Sequence, residues 1–178
     1  ASTEQVDAII FAVTSANHSN TRRNPLPFYI RALALEDFGK QLSVPCFIYG
    51  IDDIGNVKKF SEYTIKRIKH DSEGQFDLRP DNTLVVCSTP VLTMYRKEGF
   101  RILPAELKDG TTFQLSHTMP WEVVEGIAVT PDWEENTNTQ ALMHAASYDV
   151  WKKYRLGTKV QLLFRDTMIS EDGDITIT

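Results

Sequence analysis

The sequence feature that most constrains the fold is an apolar run near the amino terminus that ends in a polar turn. The run occupies residues 7–14, and the turn occupies residues 15–24, with a histidine, two adjacent arginines and several amide and hydroxyl side chains. A nearly continuous apolar run is typical of a strand that is covered on both faces, as in a parallel sheet. Residues 25–27, Pro-Leu-Pro, then predict the start of a helix, since proline is favoured in a first helical turn. We therefore expect a strand, a polar turn and a helix in direct succession.

Alternating strand and helix patterns continue beyond this first unit. Strands are predicted at residues 7–14, 44–50, 83–87 and 100–103, and helices at residues 27–41, 57–69 and 90–97. This order favours parallel strand pairing with right-handed crossovers. The predicted fold class is therefore α/β, with a three-layer Rossmann-like fold and a mostly parallel sheet.

The carboxyl-terminal part of the chain is less regular. Residues 121–129 are compatible with a strand or a short helix, because periodicity alone does not separate the two in a short apolar run. Helical spacing predicts one long helix at residues 137–154, capped by Thr137 or Asn138. Residues 160–164, Val-Gln-Leu-Leu-Phe, predict a further strand.

Length and composition bound the class of protein. The chain has 178 residues, 42% of them hydrophobic and 24% charged, which is ordinary for a single globular domain. No apolar run approaches the roughly 20 residues that span a membrane, and the polar, acidic first residues do not resemble a signal peptide. We therefore expect a cytoplasmic protein that makes no membrane contact. The net charge of −5 argues against broad nucleic-acid binding but leaves room for a local basic pocket.

Cysteine usage and the two chain ends add further expectations. Cys46 and Cys87 lie in apolar, strand-like runs, which is typical of reduced core residues in the cytosol; a disulfide between neighbouring strands is the alternative. The sequence has no Cys/His spacing typical of a metal site, so we expect no metal that is bound by protein side chains alone. The chain begins at Ala1 rather than methionine, and residues 174–178 resemble an interrupted strand. These ends predict a domain excised from a longer protein that has further domains.

The polar turn predicts a binding site for a phosphate-bearing ligand. It follows the first strand at the carboxyl end, where open α/β sheets bind their ligands. His18 offers a hydrogen bond to a phosphoryl oxygen, and Arg22 and Arg23 offer forked, permanently charged contacts. The start of the next helix adds backbone donors and a positive dipole end. The alternative is a solvated loop in which asparagine and serine have ordinary turn roles.

Further candidate residues follow from their places at strand ends. The candidate ligand-binding residues are Ser15, Asn17, Asn20, Thr21, Asn24, Asp52, Ser88 and Thr89. Asp52 and Asp53 are suited to a metal-bridged phosphate or a ligand hydroxyl, and equally to a turn or a helix cap. Ser88 and Thr89 are suited to phosphate or sugar contacts, and equally to capping the helix that Pro90 opens.

The strand, turn and helix together resemble the nucleotidyltransferase superfamily that has a His-x-Gly-His signature. His18 matches the first histidine of that signature, and Arg23-Asn-Pro25 is similar to the Asn-Pro of adenylyltransferases, although it follows His18. The Gly-His pair is absent after His18, so the motif is degenerate. Residues 85–90 and 99–104 resemble the segment that follows the third strand in that family. The resemblance covers roughly residues 7–105.

The resemblance implies a single nucleotidyltransferase-like domain over residues 1–178. Such a domain binds ATP or CTP with Mg²⁺ and transfers a nucleotidyl group to a phosphorylated small molecule, releasing pyrophosphate. His18, Arg22 and Arg23 are the implied catalytic residues: His18 contacts the phosphates, and the arginines neutralise developing charge. Asn20 and Thr21 position them, while Ser88 and Thr89 line the nucleotide crevice. Magnesium is held largely by phosphates and water, in keeping with its coordination habits.

Two other functions stay open at the level of sequence. The missing second histidine favours a non-catalytic module that binds a nucleotide or a phosphorylated metabolite, or that serves as an interaction module of a larger protein. A phosphosugar-processing enzyme with Asp52 or Asp53 as general base is a further alternative. The sequence contains no Gly-x-Gly-x-x-Gly or P-loop pattern and no Gly-x-Ser-x-Gly elbow, which argues against classical dinucleotide sites, P-loop sites and α/β-hydrolases.

Overall fold

The computed structural model of the chain describes residues 6–55, 57–87, 89–105 and 118–165. These residues form four strands, seven α-helices and one 3₁₀ turn at Val57–Lys59. In chain order the elements are β1 (Ile9–Val13), α1 (Phe28–Gly39), β2 (Cys46–Gly50), α2 (Phe60–Asp71), β3 (Leu84–Cys87), α3 (Thr89–Lys97), β4 (Arg101–Pro104), α4 (Pro120–Val129), α5 (Thr137–Ala141), α6 (Ala145–Lys153) and α7 (Leu156–Arg165). None of the described helices is both long enough and apolar enough to cross a membrane.

The strands pair in parallel, which confirms the predicted α/β class. β1 pairs with β2 from Ile9 opposite Cys46 to Val13 opposite Gly50. β3 pairs with β4 in the same manner, from Leu84 opposite Arg101 to Cys87 opposite Pro104. Within the described ranges these are two separate two-stranded sheets. The α/β class and the parallel pairing are thus established, whereas one continuous three-layer sheet stays a prediction.

Residue contacts divide the chain into two compact units. The first consists of Ala1–Asp53 and Met119–Thr178, and the second of Ile54–Thr118. The first unit contains β1, β2, α1 and α4–α7, and the second contains α2, α3, β3 and β4. Both cysteines, Cys46 in β2 and Cys87 in β3, are free thiols.

The first unit has an apolar core built around Trp133. The indole ring of Trp133 is 3% exposed and meets the rings of Tyr148 and Trp151 edge to face, with centroids 5.9 and 6.0 Å apart. Helices α1, α4, α6 and α7, together with Leu26 just before α1, supply the rest of the core. Its buried members are Leu26, Ile30, Ile127, Trp133, Val150, Trp151, Leu156 and Val160. Large aromatic rings contribute much of the buried apolar area in such a cluster.

The second unit buries one face of α2 and α3 beside β3 and β4. Ile68, Leu92, Tyr95 and Phe100 are its buried apolar residues, and the Tyr95 and Phe100 rings meet edge to face, with centroids 6.0 Å apart. Burial raises the pKa of the Tyr95 phenol above its ordinary value. The opposite face of α2 carries ion pairs one helical turn apart, such as Lys66 with Glu62, which is the pattern of a solvated helix face.

The prediction of one long helix at residues 137–154 is wrong in one respect, because the structure has two helices there, α5 and α6. The side chain of Asn136 accepts hydrogen bonds from the backbone N–H groups of Asn138 and Thr139 and caps α5. The ring of His144 accepts from Ala146 N–H at 3.2 Å and caps α6. A side-chain acceptor that captures a backbone donor replaces the bond that would continue the helix. The cap of α5 is therefore Asn136 rather than Thr137 or Asn138.

The strand predicted at residues 160–164 is also wrong, because these residues lie in α7. Leu156 and Val160 are buried at a spacing of four residues, and Phe164 packs on the same core four residues later. This is the stripe that a helix presents to a core, and five apolar-rich residues by themselves fit either structure. Residues 121–129, for which both structures were open, form helix α4, whose start is held by the Glu122 carboxylate accepting from Met119 N–H at 2.6 Å.

Gly157 allows α7 to lie directly against the Trp133 indole. A methyl group at this position would overlap the indole ring atoms Nε1, Cε2 and Cδ1, and Trp133 is buried between aromatic neighbours. We expect Gly157→Ala to lower the free energy of unfolding by about 1–3 kcal/mol, because overpacked cores must shift to relieve the overlap. Urea unfolding followed by tryptophan fluorescence measures this change.

Gly126 in α4 provides a matched control. A Cβ at Gly126 meets no atom within 4 Å, so Gly126→Ala adds helix propensity without a clash. We expect it to raise the free energy of unfolding by roughly 0.5–1 kcal/mol. Equal effects of the two substitutions would show that Trp133 does not pack tightly on α7.

Candidate functional site

The candidate site lies at the carboxyl ends of β1 and β2. Because the strands are parallel, the turn after β1 and the turn after β2 leave the sheet at the same edge. Backbone hydrogen bonds continue past the strands: Ile51 N–H donates to the Val13 carbonyl at 2.9 Å, and Ala16 N–H donates to the Ile51 carbonyl at 3.0 Å. Ile51 is fully buried. The two turns are therefore held side by side by the backbone itself.

Gly50, at the end of β2, allows the turn and the start of α1 to approach closely. A Cβ at this position would lie 3.0 Å from the Ala16 Cβ and 3.2 Å from the Phe28 ring. Both distances are tighter than ordinary contact, so a side chain here would push the turn away from the sheet. Just before Ala16, Ser15 has a φ of 53°, a left-handed conformation that turns the chain sharply.

Three side chains of the turn gather around Asp53; we call Ser15, Asn17, His18 and Asp53 the Asp53 cluster. The Ser15 hydroxyl donates to Oδ2 of Asp53 at 2.8 Å. Nε2 of His18 lies 3.6 Å from the same oxygen. The Asn17 side chain binds the backbone of Asp53 in both directions, accepting from its N–H at 2.8 Å and donating to its carbonyl at 3.4 Å. The cluster thus joins the turn after β1 to the turn after β2.

Arg31 supports this cluster from the first turn of α1. Its guanidinium donates to the carbonyls of Thr14 and Ser15, both at 2.7 Å. Burial lowers the pKa of Arg31, and the nearby charge of Asp53 opposes that shift. The sequence analysis missed this residue. The available signal was an arginine one turn into the helix that follows a strand, where its fork can reach the strand's last carbonyls.

Thr21, Asn24 and Asn20 shape the turn. Thr21 is buried, its hydroxyl accepts from Asn24 N–H at 2.9 Å, and its own N–H donates to the Asn24 carbonyl at 3.3 Å. Asn20 has a φ of 62°, a conformation that asparagine tolerates better than most residues. Thr21 and Asn24 therefore have a structural role in the turn. Contacts of Thr21, Asn24 and Asn20 with a ligand stay a prediction.

The two predicted catalytic arginines have different surroundings. The Arg22 guanidinium donates to the Phe164 carbonyl at 3.3 Å and lies 5.6 Å from the Phe164 ring centroid. A cation at the last turn of α7 is favoured by the helix dipole. Arg23 is exposed. The turn thus directs Arg22 to α7, while Arg23 faces solvent.

The remaining predicted site residues divide between the two units. Asp52 is partly buried and precedes Asp53 at the edge of β2. Ser88 lies outside the described residues, and Thr89 is the first residue of α3 in the second unit. Among the residues that the structure describes, no group of three or more His, Cys, Asp or Glu side chains is placed to hold a metal ion.

No protein-family model matches the chain, and no curated protein is similar to it. Its function is therefore inferred from the residues of the site and from their geometry.

The Arg31 contacts predict a defined stability effect. Arg31→Lys keeps the positive charge but cannot hold both carbonyls in a fork. We expect it to lower the free energy of unfolding by about 1–3 kcal/mol, since one or both strand-end carbonyls lose a charged donor. Urea unfolding provides the measurement. Arg23→Lys is an exposed change of the same kind, and its free energy of unfolding should stay within about 0.5 kcal/mol of that of the unchanged protein. A similar loss in Arg23→Lys would show that the effect does not come from the two hydrogen bonds of the Arg31 guanidinium.

Proposed function

We propose that the chain is a nucleotidyltransferase-like domain that binds ATP or CTP at the carboxyl ends of β1 and β2. The observation that supports this most directly is the convergence of Ser15 and His18 on one oxygen of Asp53 at that edge. In open α/β sheets this edge is the usual place of the ligand. The proposal includes the finer fold prediction, in which the parallel strand pairs belong to a three-layer Rossmann-like sheet.

The phosphates would be bound by the turn and by the start of α1. His18 is about half exposed and offers a ring nitrogen, and Arg23 adds an exposed charge from the same turn. α1 begins after Pro27 without a side-chain cap, and a helix start offers backbone donors and a positive dipole end. Arg22 would have to leave Phe164 to reach the ligand, so we assign charge neutralisation to His18 and Arg23 first.

The proposed reaction is an in-line displacement at the α-phosphorus of the nucleotide. An oxygen of the phosphorylated acceptor forms the new P–O bond, the bond to the bridging oxygen breaks, and pyrophosphate leaves with that electron pair. Such transfers depend on positioning and electrostatics more than on covalent help. His18 and Arg23 would stabilise the charge that grows on the phosphoryl oxygens.

Magnesium would be bound together with the nucleotide at this edge. Mg²⁺ in nucleotide sites takes one or two carboxylates and completes its shell with phosphate oxygens and water. Asp52 lies at the end of β2, directly before Asp53. When bound, the ion would neutralise phosphate charge, and Asp52 would be its protein ligand.

A non-catalytic nucleotide- or phosphometabolite-binding module is the second candidate. The contact of Arg22 with α7 favours this candidate, because the Arg22 guanidinium already binds the carbonyl and the ring of Phe164. Binding by the turn would then occur without transfer, and the chain would act as an interaction module of a larger protein.

His18→Ala separates these functions. Calorimetric titration with ATP and CTP in magnesium buffer measures binding, and a pyrophosphate assay with glycerol 3-phosphate, phosphocholine or ribose 5-phosphate measures transfer. We expect the substitution to lower pyrophosphate release about 100-fold or more, as the loss of a donor to developing charge does in other enzymes. His70→Ala, an exposed histidine in α2, is the matched control.

Three results decide the outcome. Release that depends on His18 and not on His70 supports the transferase. Nucleotide binding without release of pyrophosphate favours the binding module. If neither ATP nor CTP binds, the transferase and the nucleotide-binding module are both wrong, and the result favours an interaction module.

A further inference from the structure

We infer that the Asp53 carboxylate occupies the anion-binding position of the turn and thereby sets the charge preference of the site. This inference rests on the proposed function, in which the same edge binds phosphate. It assigns Asp53 a role as a specificity-determining residue that disfavours small free anions.

The convergence of donors is the first step. The Ser15 hydroxyl and the His18 ring nitrogen both face one oxygen, Oδ2 of Asp53, at 2.8 and 3.6 Å. Ser15 donates a hydrogen bond to this oxygen, while the His18 nitrogen lies near it without a hydrogen bond; groups of these two kinds also bind phosphate oxygens in proteins. The side chains of His18 and Asp53 are each 44% exposed, so a ligand from solvent can reach both.

The second step is that several contacts of the turn do not use the Asp53 carboxylate. Asn17 binds the backbone N–H and the backbone carbonyl of Asp53, and any residue at this position offers those two groups. Arg31 fixes the end of β1 through backbone carbonyls as well. These backbone contacts stay available when the charge at residue 53 is removed.

The third step concerns the electrostatics of the site. The charge of Arg31 interacts with that of Asp53. A phosphate that approaches Ser15 and His18 meets the Asp53 carboxylate at its donors and must displace it. A small anion would contact only Ser15 and His18, whereas a nucleotide has further groups that can bind elsewhere on the protein.

Asp53→Asn tests the inference, because the amide keeps the shape and the backbone contacts but removes the charge. Pyrophosphate in buffer with a metal chelator is the probe, and the amide signals of residues 16–20 in ¹H–¹⁵N spectra report its binding. We expect the variant to bind pyrophosphate about threefold to tenfold more tightly than the unchanged protein, the range that modest charge interactions near a surface produce. The gain should shrink in high salt, because salt screens exposed charges.

Two controls separate charge at the site from other effects. Asp149→Asn, an exposed change on α6, alters the net charge equally and should leave pyrophosphate affinity unchanged. Adding Ser15→Ala to Asp53→Asn should remove part of the gain, because the released donor is then absent. Thermal unfolding of each variant establishes that the fold is retained.

The outcomes distinguish this inference from the proposed function. If the unchanged protein binds ATP but Asp53→Asn binds pyrophosphate no more tightly, the inference is wrong and the proposed function stands. If no variant binds pyrophosphate and the protein does not bind ATP or CTP, the proposed function is wrong and the inference fails with it. The inference is supported if Asp53→Asn binds pyrophosphate more tightly than the unchanged protein does and Asp149→Asn does not.

Discussion

The backbone ladder between β1 and β2 is the constraint on which the candidate site depends. Its hydrogen bonds continue beyond the strands, through Val13, Ile51 and Ala16, into the two turns that carry the site. Parallel pairing places both turns at one edge, and Gly50 lets them approach. Ser15 and His18 can meet Asp53 only because this ladder fixes the separation of the turns.

Helix α1 connects that edge to the core of the first unit. Ile30 packs into the aromatic core around Trp133, and the next residue, Arg31, binds the two carbonyls that directly follow β1. Adjacent residues of a helix point in different directions, so one element serves both surfaces. The core and the turn therefore share a single helix.

Much of the α/β pattern could be predicted from the sequence, and the two errors in the carboxyl-terminal part have different causes. The strands at residues 7–14 and 44–50 and the helix between them were predicted nearly in place, since their apolar runs and proline signals are local. Residues 160–164 of α7 were predicted as a strand because a run of five apolar-rich residues is compatible with a strand or a helix. Only packing against the core distinguishes the two. The long helix at residues 137–154 was divided by His144, whose ring captures a backbone donor.

The sequence by itself determined that a polar turn follows a buried strand and lies before a helix, because strand and helix signals depend on neighbouring residues. It also placed His18 and the acidic pair at strand ends. Only the tertiary structure decided what each side chain contacts: Arg22 turns to Phe164, Thr21 fastens the turn, and Arg31 joins the site from α1. The reason is physical, since these contacts join residues up to 142 positions apart, and no local pattern specifies which distant group a side chain will meet.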